Sequence, residues 1–245
     1  AAGLGMTVVF YAEEHQIAKD GCAHEGFIAS RQGLPMIPAL AETVAIAKYL
    51  LIIEATKVRA HFGLLSCGAS VELIKIAKDK GLPVTADVAM HQLHLTESLT
   101  DGFNSLAHVR PPLRAEKDKL LLRQGVKDGV IDAICTHHEP LSSSAKLAPF
   151  AETQPGMTAF DTYVAFGIQL INEGLFEPLE WVEKVTLAPA KVANMIDRWT
   201  DESGWALVDP KLEWTVSKDS ILSQGKNTPL IHQKVVGKVV QIFVT

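Results

Sequence analysis

Apolar positions over the first two hundred residues fall into two alternating kinds of run. Short β-branched or near-continuous runs occupy residues 6–11, 58–62, 83–89 and 131–135, and each reads as a buried strand. Between them lie longer helical patterns. Residues 38–54 set Ala41, Val44, Ala45, Lys48 and Leu51 at helical spacing behind a leading proline. Residues 70–80 do the same with Val71, Ile74 and Ala77 and close on Gly81. A charged helix over 115–125 and helices over 157–173 and 178–186 complete the pattern.

Strand and helix in alternation, with strands apolar on both faces, specify a parallel sheet whose crossovers are helices. After about Ile196 the pattern changes. Residues 205–210, 213–216 and 235–244 predict strands separated by turn residues. The expected organisation is an α/β body over residues 1–200 and a small β domain over 201–245. Four parallel strands cannot close an eight-stranded barrel. They suffice for an open sheet or for half a barrel.

Composition narrows the class without naming a chemistry. The 245 residues are 47% hydrophobic and 21% charged with a net charge of -5, an ordinary globular balance that argues against nucleic acid. No apolar run is long enough to span a membrane. Cys22, Cys67 and Cys135 are widely spaced and lack a CxxC, which argues against disulfides and thiolate zinc. The chain opens Ala1-Ala2-Gly3-Leu4-Gly5 with no signal-peptide pattern, so the cytoplasm is the expected location.

Histidines gather where strands end: His91 and His94 after the third, His137 and His138 after the fourth. That edge is where parallel α/β proteins build sites. The cluster reads either as metal or acid–base chemistry or as loop residues capping backbone groups. No His-x-His or His-Glu-x-x-His spacing decides for metal. Ser66 and Ser142-Ser143-Ser144 lack a Gly-x-Ser-x-Gly elbow and read as polar loops.

Longer strings carry a family resemblance. Cys22-Ala23-His24-Glu25-Gly26 with Gly33-Leu34-Pro35-Met36-Ile37-Pro38, then Pro83-Val84-Thr85-Ala86-Asp87-Val88 with His91, resemble dihydroorotases. So do Arg110-Pro111-Pro112-Leu113-Arg114, the run from Ile131 to Pro140, Pro155-Gly156, and Gly225-Lys226-Asn227-Thr228-Pro229. The resemblance implies a (β/α)8 barrel of the amidohydrolase superfamily with a small β domain formed by both chain ends. It implies zinc-dependent interconversion of dihydroorotate and N-carbamoyl-aspartate in active members. It aligns this chain with the C-terminal half of such a barrel, beginning before the fifth strand, so that the missing N-terminal half becomes the expected partner of its open edges and an oligomer the expected state.

The same resemblance places the family's metal and catalytic positions on residues of the wrong chemistry. Two ligand histidines fall on Tyr11 and Leu64, the catalytic aspartate on His137, a second loop histidine on Leu141, and a substrate-side asparagine on Arg110. A catalytic zinc needs about three protein ligands and an open position, and Leu64 offers none. Tyr11 is a poor ligand near neutral pH, and the general base is lost at His137. No metal is therefore expected on this chain. His91, Arg110, His138, Pro155 and Gly156 are the candidate substrate-pocket residues. Three functions stay open. The first is a degenerate dihydroorotase-like protein with a scaffold or regulatory role toward aspartate carbamoyltransferase, a branch resembled by His61-Phe62-Gly63 and by residues 88–95. The second is an active dihydroorotase. The third is a different enzyme using His137, His138 and Arg110 to bind an anion.

Overall fold

A computed structural model describes residues 1–196 and 204–243. Six strands lie in the first 135 residues: β1 (Val8–Tyr11), β2 (Ala23–His24), β3 (Met36–Ile37), β4 (Ala60–Gly63), β5 (Val84–Ala89) and β6 (Ala133–Cys135). Four of them form one sheet in the order β1-β4-β5-β6, every neighbouring pair parallel. The strand order follows the chain order with no reversal, which is the succession of a barrel wall. Strands β2 and β3 form a separate two-residue parallel pair, too short to leave a period in the sequence.

Eight helices accompany them among the described residues: α1 (His15–Ala18), α2 (Phe27–Gln32), α3 (Ala39–Thr56), α4 (Gly68–Asp79), α5 (Glu116–Lys127), α6 (Tyr163–Asn172), α7 (Pro178–Val185) and α8 (Leu187–Val192). Helices α3, α4 and α5 are the three crossovers. They bury Ile46, Ile53, Ile74, Leu122 and Val126 against Phe62, Ala86, Val88 and Ile134 on the outer face of the sheet. The inner face is different. His61, Thr85, Asp87 and Cys135 make it polar at its centre, and Val9 and Tyr11 stand open on β1, 51% and 70% exposed.

Two expectations need correction. The helix anticipated from residue 157 begins at Tyr163, because Met157, Thr158 and Ala159 run as a buried loop. Thr158 hydrogen-bonds the Asn227 carbonyl through its N–H and the Gly225 carbonyl through its hydroxyl, so its backbone is already committed. The two strands anticipated over 205–216 are one, β7 (Trp205–Thr215), whose ladder with the antiparallel β8 (Lys234–Phe243) is broken by register shifts around Pro210. Strand β8 packs on α6, where Gly237, at φ 96°, leaves room for Ile168. The expected boundary at 200/201 and the strand end at Val244 lie outside the described residues. No described helix is long and apolar enough to cross a membrane.

Candidate functional site

The C-terminal ends of β1, β4 and β6 open on a cavity of about 540 Å³. Tyr11, Leu64, Arg110 and His137 line it together with Glu13 and Glu139. The loops that carry Leu64 and His137 turn through left-handed backbone, φ 61° and 44°. Such conformations cost roughly 1–3 kcal/mol in a non-glycine residue and persist where surrounding structure imposes them. At Leu64 the reason is visible: its N–H donates to Asp87 Oδ1 at 2.8 Å.

Asp87 is the hub of the polar inner face. Its Oδ2 meets His61 Nε2 at 2.8 Å, while Oδ1 also accepts from the Cys135 thiol at 3.3 Å. The other ring nitrogen of His61 sits 2.9 Å from the Thr85 hydroxyl. His61 is thus engaged on the polar inner face by Asp87 and Thr85 and does not line the cavity. Burial, followed by the charge of Asp87, pushes the Cys135 thiol well above its ordinary value, so it is not an activated nucleophile.

His137 has a buried Nδ1 without a partner, and its Nε2 lies 3.5 Å from Glu139. Its ring stacks on His91 with centroids 5.4 Å apart. His91 is almost wholly buried and neither of its ring nitrogens is hydrogen-bonded. Burial, then the neighbouring His137 and His94, pushes its pKa down to about 3. It is therefore a neutral imidazole under the mouth rather than on its lining. Arg110 crosses the mouth to Glu13, donating from Nε at 3.0 and 3.1 Å and from Nη2 as well.

The remaining candidates form a second cluster, away from this cavity. His138 Nδ1 accepts the N–H groups of Ala159 and Phe160, and its Nε2 meets the Ser223 hydroxyl. Asn227 ties the loop together: its carbonyl oxygen accepts from Leu141 N and Thr158 Oγ1, and its amide donates to the carbonyls of Glu139 and Gly156. Gly156 takes φ 140°, which a side chain would oppose, and Pro155 beside it is exposed.

Sequence reasoning missed Asp87 and Glu13 as partners, because pairing across strands leaves no local spacing. It also missed a buried polar group in the cavity wall. Glu42 on α3 accepts from Ser66 N and Ser66 Oγ, and Arg114 donates to Ser66 Oγ, to the Ile37 carbonyl and to His24. Burial and the Arg114 charge push His24 down to about 4. The clue to Arg114 was its place at the end of the Arg-Pro-Pro-Leu-Arg string.

The donor set can be tested against the zinc that the resemblance implies for active members. The three strand ends offer a phenol, an aliphatic chain and one imidazole, and both oxygens of Asp87 are already taken. Among the described residues no group of three His, Cys, Asp or Glu side chains is disposed to hold a metal ion. These residues by themselves do not fit a catalytic zinc, and we derive no step through one.

Fold and site together define part of an amidohydrolase-type barrel. By sequence the chain is similar to dihydroorotases and dihydroorotase-like proteins. It is 41% identical over 242 residues to a dihydroorotase-like protein of Pseudomonas putida, covering 98% of this chain and 57% of that protein. It is 33% identical over 241 residues to a dihydroorotase of Geotalea daltonii, covering 97% and 56%. The chain thus spans about half the length of the curated relatives it matches. No protein-family model matches it. Among solved structures, an L-hydantoinase (dihydropyrimidinase) from Arthrobacter aurescens superposes with a TM-score of 0.84 at 21% identity, covering 99% of this chain and 56% of that one. The inactive dihydroorotase-like domain of a Chaetomium thermophilum CAD-like multifunctional protein superposes at 0.62 with 18% identity, covering 84% and 55%. Those two likenesses concern the fold.

Proposed function

We propose that this chain is part of a dihydroorotase-like protein of pyrimidine biosynthesis whose metal site is degenerate, and whose role is to support or regulate aspartate carbamoyltransferase in the cytoplasm. One observation carries the reading. The strand ends keep the strained backbone of a built site at Leu64 and His137, while the side chains there no longer supply a zinc ligand set. The Arg110–Glu13 ion pair spans the cavity in place of an open metal position. The open edges of the sheet at β1 and β6 are to be covered by the part of the barrel that the relatives possess beyond this chain, and the β7–β8 pair after about residue 200 is the small β domain, packed on α6.

The test uses the full-length protein. Co-purification with aspartate carbamoyltransferase, together with less than stoichiometric zinc, is the expected result. An active dihydroorotase is the competing reading, favoured by the 33% identity to a protein of that name. It predicts about one or two tightly held zinc ions per chain and no dependence on a partner.

A further inference from the structure

A second cavity, of about 550 Å³, lies at the opposite end of the sheet from the mouth. It is built where the strands begin. Thr7, Arg59, Pro83 and Asp132 stand immediately before β1, β4, β5 and β6, and α7 and α8 contribute Lys184 and Lys191. Its size is that of a small-molecule site. Parallel barrels place their catalytic groups at the other end, so the chemistry of the mouth does not account for it. The charges around it do not cancel. Asp132 is held by Lys78 at 2.8 Å and Glu183 by Lys191 at 3.4 Å. Arg59 and Lys184 have no ion-pair partner among the described residues. Lys184 Nζ donates only to the Ile131 carbonyl, at 3.0 Å, which leaves two of its three hydrogens free. Burial holds that amine below the ordinary lysine value, a cost that an anion beside it offsets. The buried hydroxyl of Thr7 also lacks a partner, an orphan of the kind that a ligand or a water satisfies. In a chain of net charge -5, two uncompensated cations on one cavity are a local excess of the opposite sign. Leu82, Val84, Ala188 and Val192 supply an apolar part of the lining.

We propose that this cavity binds a phosphomonoester that carries an apolar ring, with the phosphate on Arg59 and Lys184 and the ring against Leu82, Val84 and Val192. A phosphate monoester bears close to two negative charges near neutral pH, which is the number the lining leaves uncompensated. A monocarboxylate would neutralise one cation and leave the other. Arg59 presents a planar fork that matches two phosphate oxygens, and Lys184 presents a point charge. The cavity is separate from the mouth, so the inference stands whether or not the proposed function holds. Barrel strands beyond this chain would border the same end, so the test uses the full-length protein.

Isothermal titration calorimetry with phenyl phosphate is that test. The expected result is one saturable site per chain, for which inorganic phosphate competes more weakly because it lacks the ring. Arg59→Gln and Lys184→Gln should each weaken phenyl phosphate by about 10-fold or more, the loss of a charge-assisted hydrogen bond, with circular dichroism unchanged. Arg59 is exposed, so its replacement leaves the fold intact. Arg59→Lys, which keeps the charge and loses the fork, should weaken binding less than Arg59→Gln. Absence of saturable binding overturns the proposal. So does binding indifferent to both glutamine substitutions, or binding lost instead in Arg110→Gln, which would put the ligand at the mouth.

Discussion

Asp87 shows how much one side chain carries here. Three groups converge on its two oxygens, the Leu64 N–H, the His61 ring and the Cys135 thiol, and all lie in or under the barrel wall. Removing it leaves buried polar groups without partners, each costing roughly 1–3 kcal/mol. Asp87→Ala should therefore lower stability in urea by about 3 kcal/mol and free the loop at Leu64. The histidines make a prediction about pH. Burial, and after it the nearest cationic or imidazole groups, pushes His91 and His94 down to about 3 and His24 and His108 to about 4. Their unfolded-state values lie near 6.5, so below that pH the unfolded chain binds protons that the folded one refuses. The stability these groups contribute is fully present above about pH 6.5 and is lost as pH falls from there toward 4 and 3. Each steepens the loss by up to about 1.4 kcal/mol per pH unit. Denaturation midpoints measured from neutral pH downward should fall along this course, and His94→Phe should flatten it.

At the scale of elements, the parallel strands and their crossover helices were legible because burial imposes a period on sequence. The ends of β1, β4, β5 and β6 fall within a residue or two of where the apolar runs place them. What was not legible depends on contacts far along the chain. Met157 and Ala159 continue the apolar pattern of α6 yet belong to a loop, since Asn227, seventy residues on, offers their neighbour a better set of hydrogen bonds. The candidate site divides the same way. Tyr11, Leu64 and His137 meet because each ends a parallel strand, whereas His138, Pro155 and Gly156 belong to the loop that Asn227 fastens. Asn227→Ala should cost about 2–3 kcal/mol and speed hydrogen exchange at Leu141, whose N–H loses its acceptor. Unchanged exchange there would mean that the loop is held by other contacts.

For the whole molecule, the parallel sheet, its polar inner face and its open edges describe part of a barrel, and the relatives that match it are nearly twice as long. The proposed reading takes the strained loops at Leu64 and His137 as the frame of a site without zinc ligands of its own. Fold alone does not carry activity, so the question falls to one measurement. The full-length protein, supplied with zinc, is assayed for interconversion of dihydroorotate and N-carbamoyl-aspartate, alone and with aspartate carbamoyltransferase. The degenerate mouth predicts no turnover by this protein in either case. Turnover at the rate of an authentic dihydroorotase, abolished by removing zinc, would contradict the account.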